Sequence, residues 1–245
     1  MAADRITQPR LPSEACIDNG AAKDVAIDVW LIDTNSIDQS RYNGLLDRTE
    51  QTRATNIQNL QMRDQYICTR IFSRLILGYW LGIDPQKISF SYETSRPVCL
   101  NEGAPIFSLS KRENWIAMAV SVNPIGVDVE KIDHQVADQY VIEELFSSSE
   151  RALLSKLNKR DRTLAYFSMW SQKEAYSKAT GHGTELDFAK IQTSPEGGPI
   201  EDLSDNSFHL ALYGHSLSDA GPQNYVVSLA TPLASPVIKL GDTLP

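Results

Sequence analysis

The hydrophobic periodicities of this chain fall into separate blocks, and the order of the blocks narrows the fold more than any other feature. Residues 25–32 alternate and then turn apolar, as a strand does. Over residues 43–81 the pattern is helical, with Ile67, Ile71 and Leu75 four apart and Phe72 and Ile76 beside them. Gly82 and Asp84-Pro85 end it. Short strands are expected at 88–92 and 106–109, then a strand at 115–122, a turn at Asn123-Pro124 and a strand at 125–129. Ser147 and Glu150 fit a capping box opening a short helix, and 163–179 reads as a longer helix stopped by Gly181 and Gly183. Residues 195–199 read as a loop, and 209–213 and 225–230 as late strands. Segregated runs of this kind predict an α+β fold and not a doubly wound parallel sheet. No repeat is visible at the level of residues.

A chain of 245 residues can bury a full core as one large domain or two compact halves. The expected division is a loosely ordered segment at 1–23, halves at 24–122 and 123–232, and a tail at 233–245. Net charge of -8 argues against a general nucleic-acid binder. No apolar run approaches the ~20 residues that span a bilayer, so no membrane partner is expected. Asp4, Arg5 and Arg10 stand near the N-terminus with no apolar stretch behind them, unlike a secretory signal. Cys16, Cys68 and Cys99 are scattered and odd in number, which suits a reducing cytoplasm and offers no zinc motif. The four histidines, His134, His182, His209 and His215, show no metal-ligand spacing either.

Two segments carry chemistry. In the strand at 125–129, Ile125, Val127 and Val129 point one way, while Gly126, Asp128 and Glu130 point the other. Two adjacent carboxylates repel unless they take up a proton or bind a cation, and hard oxygen ligands favour Mg²⁺. On the later helix, Trp170, Glu174 and Lys178 are spaced by four and share a face, with Lys173 and Ser177 flanking it. A Glu–Lys pair at this spacing is also the commonest surface ion pair. Tyr166, Phe167, Met169, Trp170 and Tyr176 make the segment too apolar for that reading and place the charges in a cleft or partly buried.

At these segments the sequence resembles the 4'-phosphopantetheinyl transferase superfamily, in its pseudo-dimeric type that activates peptide and polyketide synthetases. Ile125-Gly126-Val127-Asp128-Val129-Glu130 matches one signature of that family, and Trp170 through Lys178 matches the other. Gly181-His182-Gly183 and Leu145-Phe146-Ser147 with Glu150 resemble further family elements. The resemblance implies two pseudo-symmetric α+β halves with coenzyme A in a cleft between them. It implies Mg²⁺ held by Asp128, Glu130 and Glu174, with Glu174 also the base for a carrier serine. Lys178 would stabilise the departing adenosine 3',5'-bisphosphate, with Lys173 close to the same group. The partner would be an apo acyl or peptidyl carrier protein, and the enzyme a cytoplasmic monomer.

Where the family shows F-N-(L/I)-S-H-S, this chain has Phe107-Ser108-Leu109-Ser110-Lys111-Arg112. Ser110 and Lys111 are therefore expected at coenzyme A phosphate, Lys111 keeping a cation but losing a group that titrates near neutral pH. Arg96 of Ser95-Arg96-Pro97 stands for the lysine of a family G-K-P, and Arg53 falls near a position gripping the adenosine 3'-phosphate. Lys156 to Arg162 and the loop after Asp133 are candidate docks for an acidic carrier helix. A metal-dependent nuclease or phosphatase, and a binding module without catalysis, remain the competing readings.

Overall fold

Helices and strands form where the hydrophobic period changes between 3.6 and 2. The computed structural model describes residues 26–42, 44–93, 97–133, 139–204, 211–217 and 224–241. Its elements are β1 (Ala26–Asp33), α1 (Arg48–Asn56), α2 (Leu60–Leu81), β2 (Phe90–Ser91), β3 (Val98–Cys99), β4 (Ile106–Arg112), β5 (Trp115–Ser121) and β6 (Gly126–Lys131). They continue with α3 (Gln139–Leu145), α4 (Ser148–Lys156), α5 (Lys159–Thr180), β7 (Ile191–Gln192), β8 (Gly198–Asp202), β9 (Leu212–Ser216), β10 (Tyr225–Thr231) and β11 (Val237–Gly241). The fold is α+β. Two compact units divide it: one holds Ile32–Pro105 and Gly241, the other residues 26–31 and Ile106–Leu240.

The second unit contains two sheets, ordered β11-β1-β5-β4 and β6-β10-β9-β8-β7. β10 is buried along its whole length, as its near-continuous apolar run requires, and it pairs antiparallel with β6 on one side and β9 on the other. Ile27 and Val29 of β1, Ala117 and Ala119 of β5, Val127 and Val129 of β6, and Val227 and Leu229 of β10 form one core. Because alternate residues of a strand face opposite ways, burying Val127 and Val129 there turns Asp128 and Glu130 to the other face. The strands β5 and β6 are joined by a short turn yet enter different sheets. From the other sheet, β4 reaches β6 through its serines: Ser108 Oγ accepts a hydrogen bond from Val127 N (3.0 Å), and Ser110 Oγ donates to Asp128 (2.8 Å).

The long helix α5 packs on β6, β10 and β9. Its approach to β6 depends on Gly126, where a Cβ would overlap the carbonyl oxygen of Ala175. Glycine is the residue that lets helix and strand close to this distance.

In the first unit, the helical run at 43–81 forms two helices. Asn59 accepts a hydrogen bond from Met62 N (3.0 Å) and so starts α2 afresh. The small β2–β3 hairpin pairs Phe90 with Cys99. The unit centres on Arg74, 1% exposed, whose guanidinium meets Glu50 and Asp47 at 2.9 Å each and donates to Ile88 O at 2.6 Å. Tyr92 donates to the other oxygen of Glu50 (2.8 Å), completing the partners of a fully buried carboxylate.

This arrangement recurs in the second unit. Helices α1 and α4 are each nine residues long, opened by a capping box of Asp47 with Glu50 and of Ser147 with Glu150. Helices α2 and α5 are each 22 residues, capped by Asn59 and Asn158 and ended by left-handed Gly82 and Gly181. Fifteen residues after its asparagine cap, each long helix carries a buried cation, Arg74 or Lys173, paired with the capping-box glutamate. The absence of a residue-level repeat is thus corrected. The repeat exists, but only its caps and its cation–glutamate pair are retained. One place further on stand Leu75 and Glu174, and five places on stand Tyr79 and Lys178, so this glutamate and lysine occur in one copy alone.

Three further segments differ from the sequence reading. Val237–Gly241, within the expected tail, is the edge strand β11 beside β1. The loop at 195–199 runs into β8, which pairs Pro199 with Tyr213. Helix α3 precedes Phe146 and was not expected. Of the strand at 209–213, residues 209 and 210 lie outside the described residues, as do His134 and the segment just after Asp133.

Candidate active site

Asp128 and Glu130 project from β6 toward α5 and the end of β4. Asp128 is 4% exposed. Its Oδ1 accepts from Ser110 Oγ (2.8 Å) and from Lys178 Nζ (2.7 Å), while its Oδ2 is buried without a hydrogen-bond partner. Lys178 also donates to Val127 O (3.0 Å), so it bridges the backbone and side chain of β6. On Glu130, Oε1 accepts from the indole N–H of Trp170 (3.2 Å), and Oε2 faces Arg112 Nε at 3.4 Å. Glu174 lies one helical turn before Lys178, partly buried.

The charge of Asp128 acts on both of the other carboxylates. Burial pushes Glu130 above the ordinary carboxylate range, and the charge of Asp128 adds to it, while Arg112 and Trp170 oppose it. Burial likewise raises Glu174, with Asp128 adding and Lys178 opposing. Glu174 also acts on Glu130. Trp170, one helical turn before Glu174, donates its indole N–H to Glu130.

The chemistry of the set fits a hard divalent cation. Asp128 Oδ2 is an acceptor shut away from water with nothing to accept, a costly state that a cation relieves. Among the described residues, however, no three His, Cys, Asp or Glu side chains converge as a ready-made metal cage. Cations from the chain hold part of the space: Lys178 occupies one oxygen of Asp128, and Arg112 one oxygen of Glu130.

The other expected residues fall as follows. Ser110 joins the site at Asp128. Lys173 does not: its side chain is 0% exposed, its ammonium meets Glu150 Oε2 at 2.7 Å, and it donates to the carbonyls of Leu145, Phe188 and Ile191. With all its donors used internally it has none for a phosphate, and it is a structural lysine. Its two neighbours in the motif, Glu174 and Lys178, turn to the site because a helix sets adjacent residues about 100° apart. Lys111 is exposed, and strand alternation turns it away from the face that Ser110 and Arg112 share. The cation acting on Glu130 is Arg112, one residue on. Period two counted from Ser110 was the signal that would have found it. Arg53, in the first unit, is exposed with its guanidinium over the Tyr66 ring at 5.8 Å. Arg96 lies outside the described residues.

An acid pair on a strand, an acid and a lysine on a facing helix, and a buried acceptor without a donor form one charged cluster on this face. Residues 124–230, from just before β6 to the end of β10, match the model of the 4'-phosphopantetheinyl transferase superfamily. HetI of Nostoc sp. (strain PCC 7120), a 4'-phosphopantetheinyl transferase, is 29% identical over 178 residues, covering 66% of this chain and 75% of HetI. Gsp of Aneurinibacillus migulanus, of the same activity, is 31% identical over 153 residues, 61% of this chain and 63% of Gsp. Among solved structures, the holo-[acyl-carrier-protein] synthase of Thermotoga maritima aligns with 44% of this chain and 61% of its own, at 17% identity. Its TM-score is 0.29, a likeness too distant to carry weight. Over residues 124–230 the chain is thus similar to the 4'-phosphopantetheinyl transferase superfamily, and the two relatives carry that activity in their names.

Proposed function

We propose that this protein transfers 4'-phosphopantetheine from coenzyme A to a serine of an apo acyl or peptidyl carrier protein, releasing adenosine 3',5'-bisphosphate. The observation that supports it most is the pairing of Asp128 with Lys178, with the charge of Asp128 acting on both Glu130 and Glu174, inside the segment that the family model matches. The serine oxygen attacks the phosphorus that bears pantetheine. A P–O bond to serine forms, and the P–O bond to the bridging oxygen breaks. Glu174, whose carboxyl burial and Asp128 hold above the usual carboxylate range, would take the serine proton. Lys178 neutralises charge that collects on the departing bisphosphate. Ser110 orients Asp128 by its hydrogen bond, and Trp170 orients Glu130 by its own.

Asp128, Glu130 and Glu174 would hold Mg²⁺, which when bound supplies charge neutralisation at the pyrophosphate. This part of the reading rests on the orphaned Asp128 Oδ2 and the hard oxygen donors around it. The same reading makes the enzyme a cytoplasmic monomer acting on carriers with an acidic helix. Among the described residues no helix is long and apolar enough to cross a membrane. Incubation with fluorescent coenzyme A, Mg²⁺ and an apo-carrier tests the assignment. Label on the carrier supports transfer, and phosphate release without label would favour a hydrolase.

A further inference from the structure

Along β4, residues Ser108, Ser110 and Arg112 share one face and address β6 in succession, at Val127, Asp128 and Glu130. The first two are small hydroxyl residues that set backbone and carboxylate in place. The third is a full positive charge, and it stands where the family pattern quoted above has serine.

The two cations of the site are held differently. Lys178 is 21% exposed at its side chain and fixed by two acceptors. Arg112 is 52% exposed, against 15% for Glu130, and their 3.4 Å approach is a single-point pair and not the two-pronged clasp arginine can make. Its backbone, by contrast, is fixed. The β4–β5 turn places Glu113 in the left-handed region (φ 52), and the Glu113 carboxylate accepts from Lys131 Nζ (2.8 Å) and Tyr225 Oη (2.7 Å). A firmly based, loosely held guanidinium therefore stands beside a carboxylate that is half of an acid pair.

We propose that Arg112 is a resident counter-ion that competes with the divalent cation for Glu130. It neutralises the carboxylate in the ion-free enzyme and leaves Oε2 when the ion binds, so it sets how much free cation is needed to load the site. The inference rests on the reading of Asp128, Glu130 and Glu174 as metal ligands. A half-exposed ion pair alone is weak, and the repulsion between a fixed cation and an arriving divalent ion adds to it. Removing the charge should tighten ion binding by roughly three- to ten-fold at low ionic strength, with the gain shrinking as salt screens it.

The test is a titration of the full chain with Mn²⁺ in the absence of coenzyme A, with free Mn²⁺ read by electron paramagnetic resonance. The parent should bind one ion saturably, and Asp128→Asn should lose it. Arg112→Gln should bind three- to ten-fold more tightly, and Arg112→Lys should fall between it and the parent. Lys156→Gln, which removes the same charge at the exposed end of α4, should match the parent. Saturable parent binding with no tightening in Arg112→Gln, or equal tightening in Lys156→Gln, would overturn the counter-ion role alone. No saturable binding by the parent would overturn the metal reading and this inference with it.

Discussion

Lys173 Nζ lies 2.7 Å from Glu150 Oε2, with neither side chain reaching solvent. Glu150 spends its remaining capacity on Ser147 N and on the backbone and hydroxyl of Thr193, so one glutamate caps α4, fixes the residue after β7 and anchors α5. A buried pair thus anchors the helix that carries Glu174 and Lys178.

Removing one member leaves the other charge buried and uncompensated, which costs about 3–5 kcal/mol. Lys173→Met should lower stability by that amount in urea unfolding, and so should Arg74→Met through Glu50 in the first unit. The double replacement Lys173→Met with Glu150→Leu should cost less than the two single losses added together. A single-variant loss below about 1 kcal/mol would mean that the pair is not closed from water.

Gly126 sets how near α5 comes to β6. An added methyl at Gly126→Ala meets the Ala175 carbonyl and forces helix from strand, an overpacking cost of about 1–3 kcal/mol. Activity should fall more than stability predicts, because Glu174 and Lys178 move away from Asp128. Parent-like turnover in a folded Gly126→Ala protein would show that this spacing does not matter.

Glu130 and Glu174 are both held above the ordinary glutamate range, burial being the largest cause in each. In that window the folded chain binds more protons than the unfolded one, so stability without ligand falls as pH rises from about 4.5 through the raised values. Glu174→Gln removes one of the two groups. It should flatten the decline and leave the ligand-free protein more stable than the parent at neutral pH. Urea unfolding across the range checks this, and an unchanged slope would contradict it.

The site was legible where local pattern and tertiary role coincide. Alternation in β6 placed Val127 and Val129 inward and Asp128 and Glu130 outward with no help from the rest of the chain, and the Ser147–Glu150 capping box is a local signal. What stayed hidden depends on packing between distant segments. Lys173 looked like a phosphate ligand because its motif neighbours face the site, but the carbonyls that claim it come from residues 145, 188 and 191. The motif position points to Lys111, but strand alternation puts Arg112 on the face of Ser110, beside Glu130. The duplicated helix pair escaped notice because Arg replaces Lys and Asp replaces Ser, exchanges that keep charge or capping while erasing identity. The edge strand β11 lies among prolines and polar residues, and its pairing with β1 is a long-range event.

The central claim is that a carboxylate on α5 takes a proton while the acids of β6 and Lys178 manage phosphate charge. Mass spectrometry of an apo-carrier incubated with coenzyme A and Mg²⁺ tests it most directly, with parent and Glu174→Gln enzymes compared at equal concentration. The parent should add one phosphopantetheine to the carrier serine, and Glu174→Gln should be slower by about 10²-fold or more while remaining folded. An unmodified carrier with the parent, or equal rates for the two proteins, would contradict the account.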